Sequence, residues 1–313
     1  MPFQPVGRML PFVGLARSYE IWAIPLDANK GKTRGTPKQV AGGGINDWPS
    51  VALDGSRLAY VSTRYGQGQA GFGGVYSIVV RDLASAREAA IPVLATPLLS
   101  PDGRRIAYAK GGIYITSVAS LDQIGDPQLV CADCGRPCGF SPDGSKLIHR
   151  TAGGLGLLDL TTGGKMSLVE ARSTFTEARI SPDHRWIVFQ ETGAGVSRIW
   201  LARLGASPIP RSDWHPLTGG NGWDDRPRWS PDSNLLYFLS DRDGFRCIWG
   251  QRLDHLTKRP LGPPFAVYHS HDTRSSLLNV NPVYAGLEVA RDMLIFVNAE
   301  TTGNVWLAHL AGN

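Results

Sequence analysis

Charge is scarce in this chain. Only 19% of its 313 residues are Asp, Glu, Lys or Arg, and only seven of the 32 basic residues are lysine. The formal charge is +5, yet the basic residues are scattered rather than gathered into a stripe, which argues against a nucleic-acid surface. Long apolar runs are missing as well: none approaches the roughly 18 residues of a membrane-spanning helix. The stretch "MLPFVGLA" (Met9 to Ala16) follows a single arginine and is broken by Pro11, a poor signal-peptide core. These absences favour a cytoplasmic location for the chain as given, with a periplasmic one the alternative if a signal precedes it. Signatures of catalysis are also missing. There is no Gly-x-Ser-x-Gly elbow and no HExxH, and the "GKT" at Gly31 to Thr33 has Leu26 where a phosphate-binding loop needs its first glycine.

What the chain has in quantity is turn chemistry: 37 glycines and 22 prolines beside 42% hydrophobic residues. Ser-Pro-Asp recurs in "SPDGRRIAYA" at 100, "SPDGSKLIHR" at 141, "SPDHRWIVFQ" at 181 and "SPDSNLLYFL" at 230, with a weaker copy, "ALDGSRLAYV", at 52. An alternating apolar segment follows each. A second signature is an aliphatic-aromatic pair: Ile21-Trp22, Val75-Tyr76, Ile113-Tyr114, Ile199-Trp200, Ile248-Trp249 and Val305-Trp306, with Leu155-Gly156 in the fourth slot. The seven slots are about 38 to 57 residues apart, near the period of propeller blades.

One unit shows the physics. In residues 97 to 130, "TPLLS" reads as a short strand, "SPDG" as a turn, "RRIAYAK" and "IYITSV" as alternating strands reversed at "GG", and "PQLVC" as an outer strand. Four antiparallel strands cannot bury both faces alone, whereas stacking units around an axis buries them and leaves only short protected edges. The expected fold is therefore an all-β propeller of four-stranded antiparallel blades, one domain over residues 1–313. The slot count favours seven blades, with six possible, and places units near 1–44, 45–95, 96–137, 138–176, 177–224, 225–278 and 279–313. The first unit lacks its innermost strand and the last its outermost, so a ring closed by pairing the chain ends is one option and a fragment of a longer chain another.

Ser-Pro-Asp-Gly followed by "IAY" or "LYF", then an "SDRDG"-type turn and "IY" or "IW", is similar to the TolB-like, WD-type β-propeller repeat; "RWSPDSNLLYFLSDRDGFRCIWGQRLD" (228 to 254) matches it most fully. The resemblance runs from about Tyr19 to Leu310. It implies a propeller, for which TolB uses six blades, and leaves function open among Tol-system proteins, the gating propellers of prolyl oligopeptidases and the sensor parts of bacterial regulators.

In such blades the loops between second and third strands and the links between blades share one face with the channel mouth. Candidate contacts there are Asp47 and Trp48 of "GINDWPS", Arg64 and Tyr65 at the base of "STRYGQGQAGFGG", and Trp223, Asp224, Asp225 and Arg226 of "GGNGWDDRPRW". Gly66, Gly68 and Gly71 have GxGxxG spacing, but a strand follows where a phosphate-cradling motif needs a helix. For Asp225 and Trp223 the alternative is structural, tying neighbouring blades. The favoured function is a non-catalytic interaction module for a protein or peptide, monomeric or part of a larger regulator, with no cofactor. The alternative is a lactonase- or glycosidase-like hydrolase with its site at the channel mouth.

Three of the four cysteines, Cys131, Cys134 and Cys138, crowd the link "CADCGRPCGF" before the fourth unit. Structural, disulfide and metal roles all remain open; metal needs a fourth ligand, for which His149 is conceivable. His269 and His271 in "YHSHD" lack a third partner by sequence, and "SDRDG" (240 to 244) reads as a hairpin rather than a calcium loop.

Overall fold

A computed structural model describes residues 9–65, 76–171, 173–220, 222–271 and 275–309. Gly66, Gly68, Gly71 and Val75 lie outside them.

The four Ser-Pro-Asp turns show why that tripeptide recurs. In each, the Ser hydroxyl donates to the Asp carboxylate two residues on, at 2.5–2.6 Å, and accepts the backbone N–H five residues on, at 2.9 Å. The same carboxylate accepts the next turn N–H at 3.0–3.1 Å. The turn thus satisfies its own backbone and delivers the chain into the second strand. Its fourth residue is left-handed. Gly103 and Gly144 adopt φ of 69° and 70° freely, whereas His184 is held at 60°. His184→Gly is expected to raise stability by about 0.5–1 kcal/mol, because the exposed imidazole contributes little against that strain. Denaturant midpoints at unchanged slope measure it, and a lower midpoint refutes it.

Among the described residues the turns build six four-stranded antiparallel blades. Blade 1 runs Asn46–Val51, Arg57–Ser62, Ser77–Asp82 and Glu88–Ile91; blade 2 runs Leu98–Leu99, Arg105–Ala109, Ile113–Ser117 and Gln128–Cys131. Blade 3 comprises Pro137–Phe140, Lys146–Thr151, Gly154–Asp159 and Lys165–Glu170, and blade 4 Thr174–Ile180, Trp186–Gly193, Val196–Arg203 and His215–Pro216. Blade 5 comprises Asp224–Trp229, Leu235–Ser240, Cys247–Arg252 and Phe265–Tyr268.

The expectation of seven blades is corrected here. The first and last units are halves of one blade: Leu287–Val289 and Met293–His309 supply its two inner strands, Met9–Asp27 and Lys38–Ala41 its two outer ones. Ile21 and Trp22 pair with Val297 and Phe296 inside this blade 6, so they hold a true third-strand slot. Val305-Trp306 does not. These residues pair with Val13 and Phe12 where both strands run on past the blade, and all four side chains are exposed because no neighbouring blade covers them. A seventh slot was counted where a ribbon extends.

Burial follows the strand alternation. In blade 1, Leu58, Tyr60 and Val79 pack toward blade 6, while Ala59, Ile78 and Val80 face blade 2. Apolar layers repeat in this way between successive blades rather than meeting in one central core. Polar ties cross the same seams. Tyr237 donates to the Ala28 carbonyl at 2.5 Å and Trp229 Nε1 to that of Arg179 at 3.2 Å.

Candidate functional site at the channel mouth

The inner strand of each blade lines the central channel. Counting back from the turn that ends it, the fourth residue is Trp48, Thr96, Pro137, Glu177, Arg226 or Gly286 around the ring, and the second is Ser50, Leu98, Gly139, Arg179, Arg228 or Glu288. Nearly all of these line one narrow cavity of about 30 Å³, with room for roughly a water or two. Toward the Ser-Pro-Asp face the channel widens to about 140 Å³ between Leu98, Phe140, Arg179, Trp229 and Glu288.

The charges of the two rings fall on adjacent blades 4, 5 and 6. Glu177 meets Arg226 Nη1 at 3.0 Å, Arg228 Nη1 at 3.1 Å and Arg179 Nη1 at 3.3 Å. Glu288 Oε1 lies 2.7 Å from Arg228 Nη2 and 3.3 Å from Arg179 Nη2. Burial pushes the Glu177 carboxyl up, but Arg228, Arg179 and Arg226 together overcome it and hold the group down at about 2. Arg226 also donates to the carbonyls of Ala285 at 2.6 Å, Val283 at 3.2 Å and Pro282 at 3.3 Å.

Arg136, just before the inner strand of blade 3, adds a fourth guanidinium on the mouth side. It is half-buried and stands 5.8 Å over the Trp48 ring, and no salt bridge to a carboxylate within 4.0 Å is present for it among the described residues. Four arginines therefore face two glutamates. Trp48 is fixed from behind: Nε1 donates to the Val283 carbonyl at 2.8 Å and its ring packs on Tyr284 at 5.6 Å.

Of the sequence candidates, Trp48 and Arg226 come together in this cavity. They are equivalent residues of "DWPS" and "DRPR", both at a bulge in the inner strand with φ of 48° and 55°. The preceding carboxylates, Asp47 and Asp225, are buried off the channel. Asp225 takes Trp223 Nε1 at 2.9 Å, and Trp223 bridges to Ser197 of blade 4. Among the described residues Asp47 Oδ1 has no hydrogen-bond partner, and burial lifts its pKa to about 7. Asp224 pairs with Arg242 at 3.2 Å.

Arg64 and Tyr65 lie apart from the mouth set. Both bind Glu88 of blade 1's outer strand, Arg64 at 2.8 Å, together with Tyr60 and Arg81 at 2.8 and 2.7 Å. In the cysteine link, Cys131 and Cys134 form a disulfide, His149 Nε2 lies 3.6 Å from Cys134 Sγ, and Cys138 is buried among apolar residues of blades 3 and 4, which pushes its thiol up to about 11. The residues missed by sequence reasoning are Arg136, Glu177, Arg179, Arg228 and Glu288. For Glu177, Arg179, Arg228 and Glu288 the signal was a fixed offset before each turn, whereas Arg136 lies one residue outside that register.

The fold is a β-propeller similar to that of TolB structures. No family model matches the chain. An uncharacterized protein of Agrobacterium fabrum is 29% identical over 164 residues, a match covering 47% of this chain and about half, 51%, of that relative. Among solved structures, a TolB candidate of Agrobacterium tumefaciens superposes with a TM-score of 0.64 at 18% identity, over 91% of this chain and 99% of that one. TolB from Acinetobacter baumannii gives 0.57 at 14%, over 92% of this chain and 66% of that one. The periplasmic gluconolactonase of Pseudomonas aeruginosa gives 0.53 at 16%, over 88% of each. At such identities the likeness is one of fold.

Proposed function

We propose that the chain is a non-catalytic interaction propeller whose mouth takes an acidic peptide segment of a partner protein. The observation that carries this is the excess of arginine over glutamate in the channel, with Arg136 half-buried over Trp48 and offered to an incoming carboxylate. The narrow cavity supports contact at the rim rather than engulfment of a small molecule. A hydrolase reading is less well supported: Glu177, held near 2 among guanidiniums, is a poor general base or acid at neutral pH. The Cys131–Cys134 disulfide favours the periplasmic alternative, since such bonds persist in oxidising compartments.

The test is titration with peptides matched in length and differing only in acidic, neutral or basic residues. Acidic peptides are expected to bind, and Arg136→Ala to weaken them by about tenfold, the value of one charge-assisted contact. Equal binding of acidic and basic peptides, or no effect of Arg136→Ala, overturns the reading.

A further inference from the structure

A second constellation sits on the same face, in blade 5. The hairpin between its second and third strands carries Asp243 and leads into Cys247; the chain leaving its outer strand carries His269 and His271. Strand pairing sets Ile248, next to Cys247, opposite Tyr268, next to His269, and so brings distant stretches of sequence together. Asp243 Oδ2 lies 3.4 Å from His269 Nδ1 and 3.3 Å from His271 Nε2, and the two nitrogens are 3.2 Å apart. With Cys247 added, the four ligand atoms all lie within 4.8 Å of one another.

Hydrogen bonding alone does not account for this triangle. Each imidazole nitrogen holds at most one hydrogen, so three mutual contacts among one carboxylate oxygen and two ring nitrogens cannot all be well-made bonds. If both nitrogens are protonated they oppose each other as donors. A cation resolves the conflict: ligands at about 2.0–2.2 Å from a tetrahedral ion stand roughly 3.3–3.6 Å apart, close to the three separations found. The buried Cys247 sulfur supplies the soft fourth donor beside the two imidazoles and the carboxylate. The rings are already oriented, His271 stacked on Phe245 at 4.4 Å and His269 edge-on to Trp249 at 5.7 Å.

We infer that Asp243, Cys247, His269 and His271 form a tetrahedral site for a divalent transition metal ion of the zinc type. One sulfur, two nitrogens and one oxygen suit zinc rather than calcium or magnesium, which take oxygen donors. Four protein ligands close the coordination sphere, so the role is structural. The ion pins the hairpin to the link that begins at His269. Ser270 in that link accepts from Ser276 Oγ at 3.0 Å, and the following segment supplies the Val283 and Ala285 carbonyls that hold Trp48 and Arg226. The inference stands independently of what the mouth binds.

The experiment is titration of chelator-treated protein with cobalt(II) alone, then displacement by zinc(II). One equivalent is expected, with the strong visible absorption of four-coordinate cobalt and a sulfur-to-metal charge-transfer band. Cys247→Ser should abolish that band. His269→Ala with His271→Ala should weaken binding by more than about 100-fold, beyond what loss of a merely orienting residue costs. Both histidines are exposed, so this variant is expected to fold, and circular dichroism checks it. Cys131→Ser with Cys134→Ser should leave the stoichiometry unchanged. Absence of tight binding, an octahedral spectrum without the sulfur band, or full affinity in the double-histidine variant overturns the site.

Discussion

Glu177→Gln is expected to destabilise the propeller by about 3–5 kcal/mol at pH 7, the cost of breaking a buried ion pair from one side. Glutamine keeps the size and one carbonyl oxygen, so the change isolates charge. In its place Arg179, Arg226 and Arg228 share a poorly hydrated channel with only Glu288 to compensate them. The shift of the Glu177 carboxyl, from an ordinary 4.5 down to about 2, leads to a similar figure: at about 1.4 kcal/mol per unit the folded state favours the ionised form by roughly 3 kcal/mol. The sign follows from linkage. A depressed carboxylate contributes its stability above pH 4.5 and loses it as pH falls toward 2, so the acid-side decline of the native protein should shrink in the variant. Urea midpoints from pH 2 to 7 measure both effects, and a loss below about 1 kcal/mol at pH 7 contradicts the account. Replacing the charged set together by apolar residues of similar volume should cost far less, because no charge is then stranded.

The fold was legible because one motif repeats its hydrogen bonds. Ser100, Ser141, Ser181 and Ser230 each make the same pair of contacts, so counting the tripeptide counted real turns. The blade number was harder to read, because Val305-Trp306 alternates as a buried strand does while pairing with Phe12 and Val13 in an exposed ribbon; composition does not reveal what a strand packs against. At the mouth, Trp48 and Arg226 stood out as unusual link residues. Glu177 and Arg179 did not, since "TFTEARI" reads as an ordinary alternating strand until its offset from Ser181 places both side chains on the channel. The metal-type cluster was invisible for another reason. Asp243 and Cys247 belong to one hairpin and His269 and His271 to the far side of the blade, and only the pairing of Cys247–Arg252 with Phe265–Tyr268 unites them.

Asp47 should impose the opposite pH dependence from Glu177. Its burial raises the folded-state pKa from 3.8 to about 7, and among the described residues Oδ1 finds no hydrogen-bond partner. Asp225, its counterpart in blade 5, is also raised by burial, but Trp223 Nε1 and Arg246, at 2.9 and 4.0 Å, offset part of that cost. Below about pH 3.8 Asp47 is protonated in folded and unfolded chains alike and the burial is harmless. Between 3.8 and 7 the unfolded chain ionises first, so stability falls as pH rises, and above 7 the penalty levels off. At about 1.4 kcal/mol per unit the full penalty is up to roughly 4 kcal/mol. Asp47→Asn removes the ionisation while keeping the shape. The variant should match the native protein near pH 4 and exceed it progressively toward pH 8, where the gap approaches that figure. Taking the difference between the two proteins cancels the titration of the other carboxylates, Glu177 included, so a pH-independent difference between pH 4 and 8 would show that Asp47 is solvated or partnered in solution.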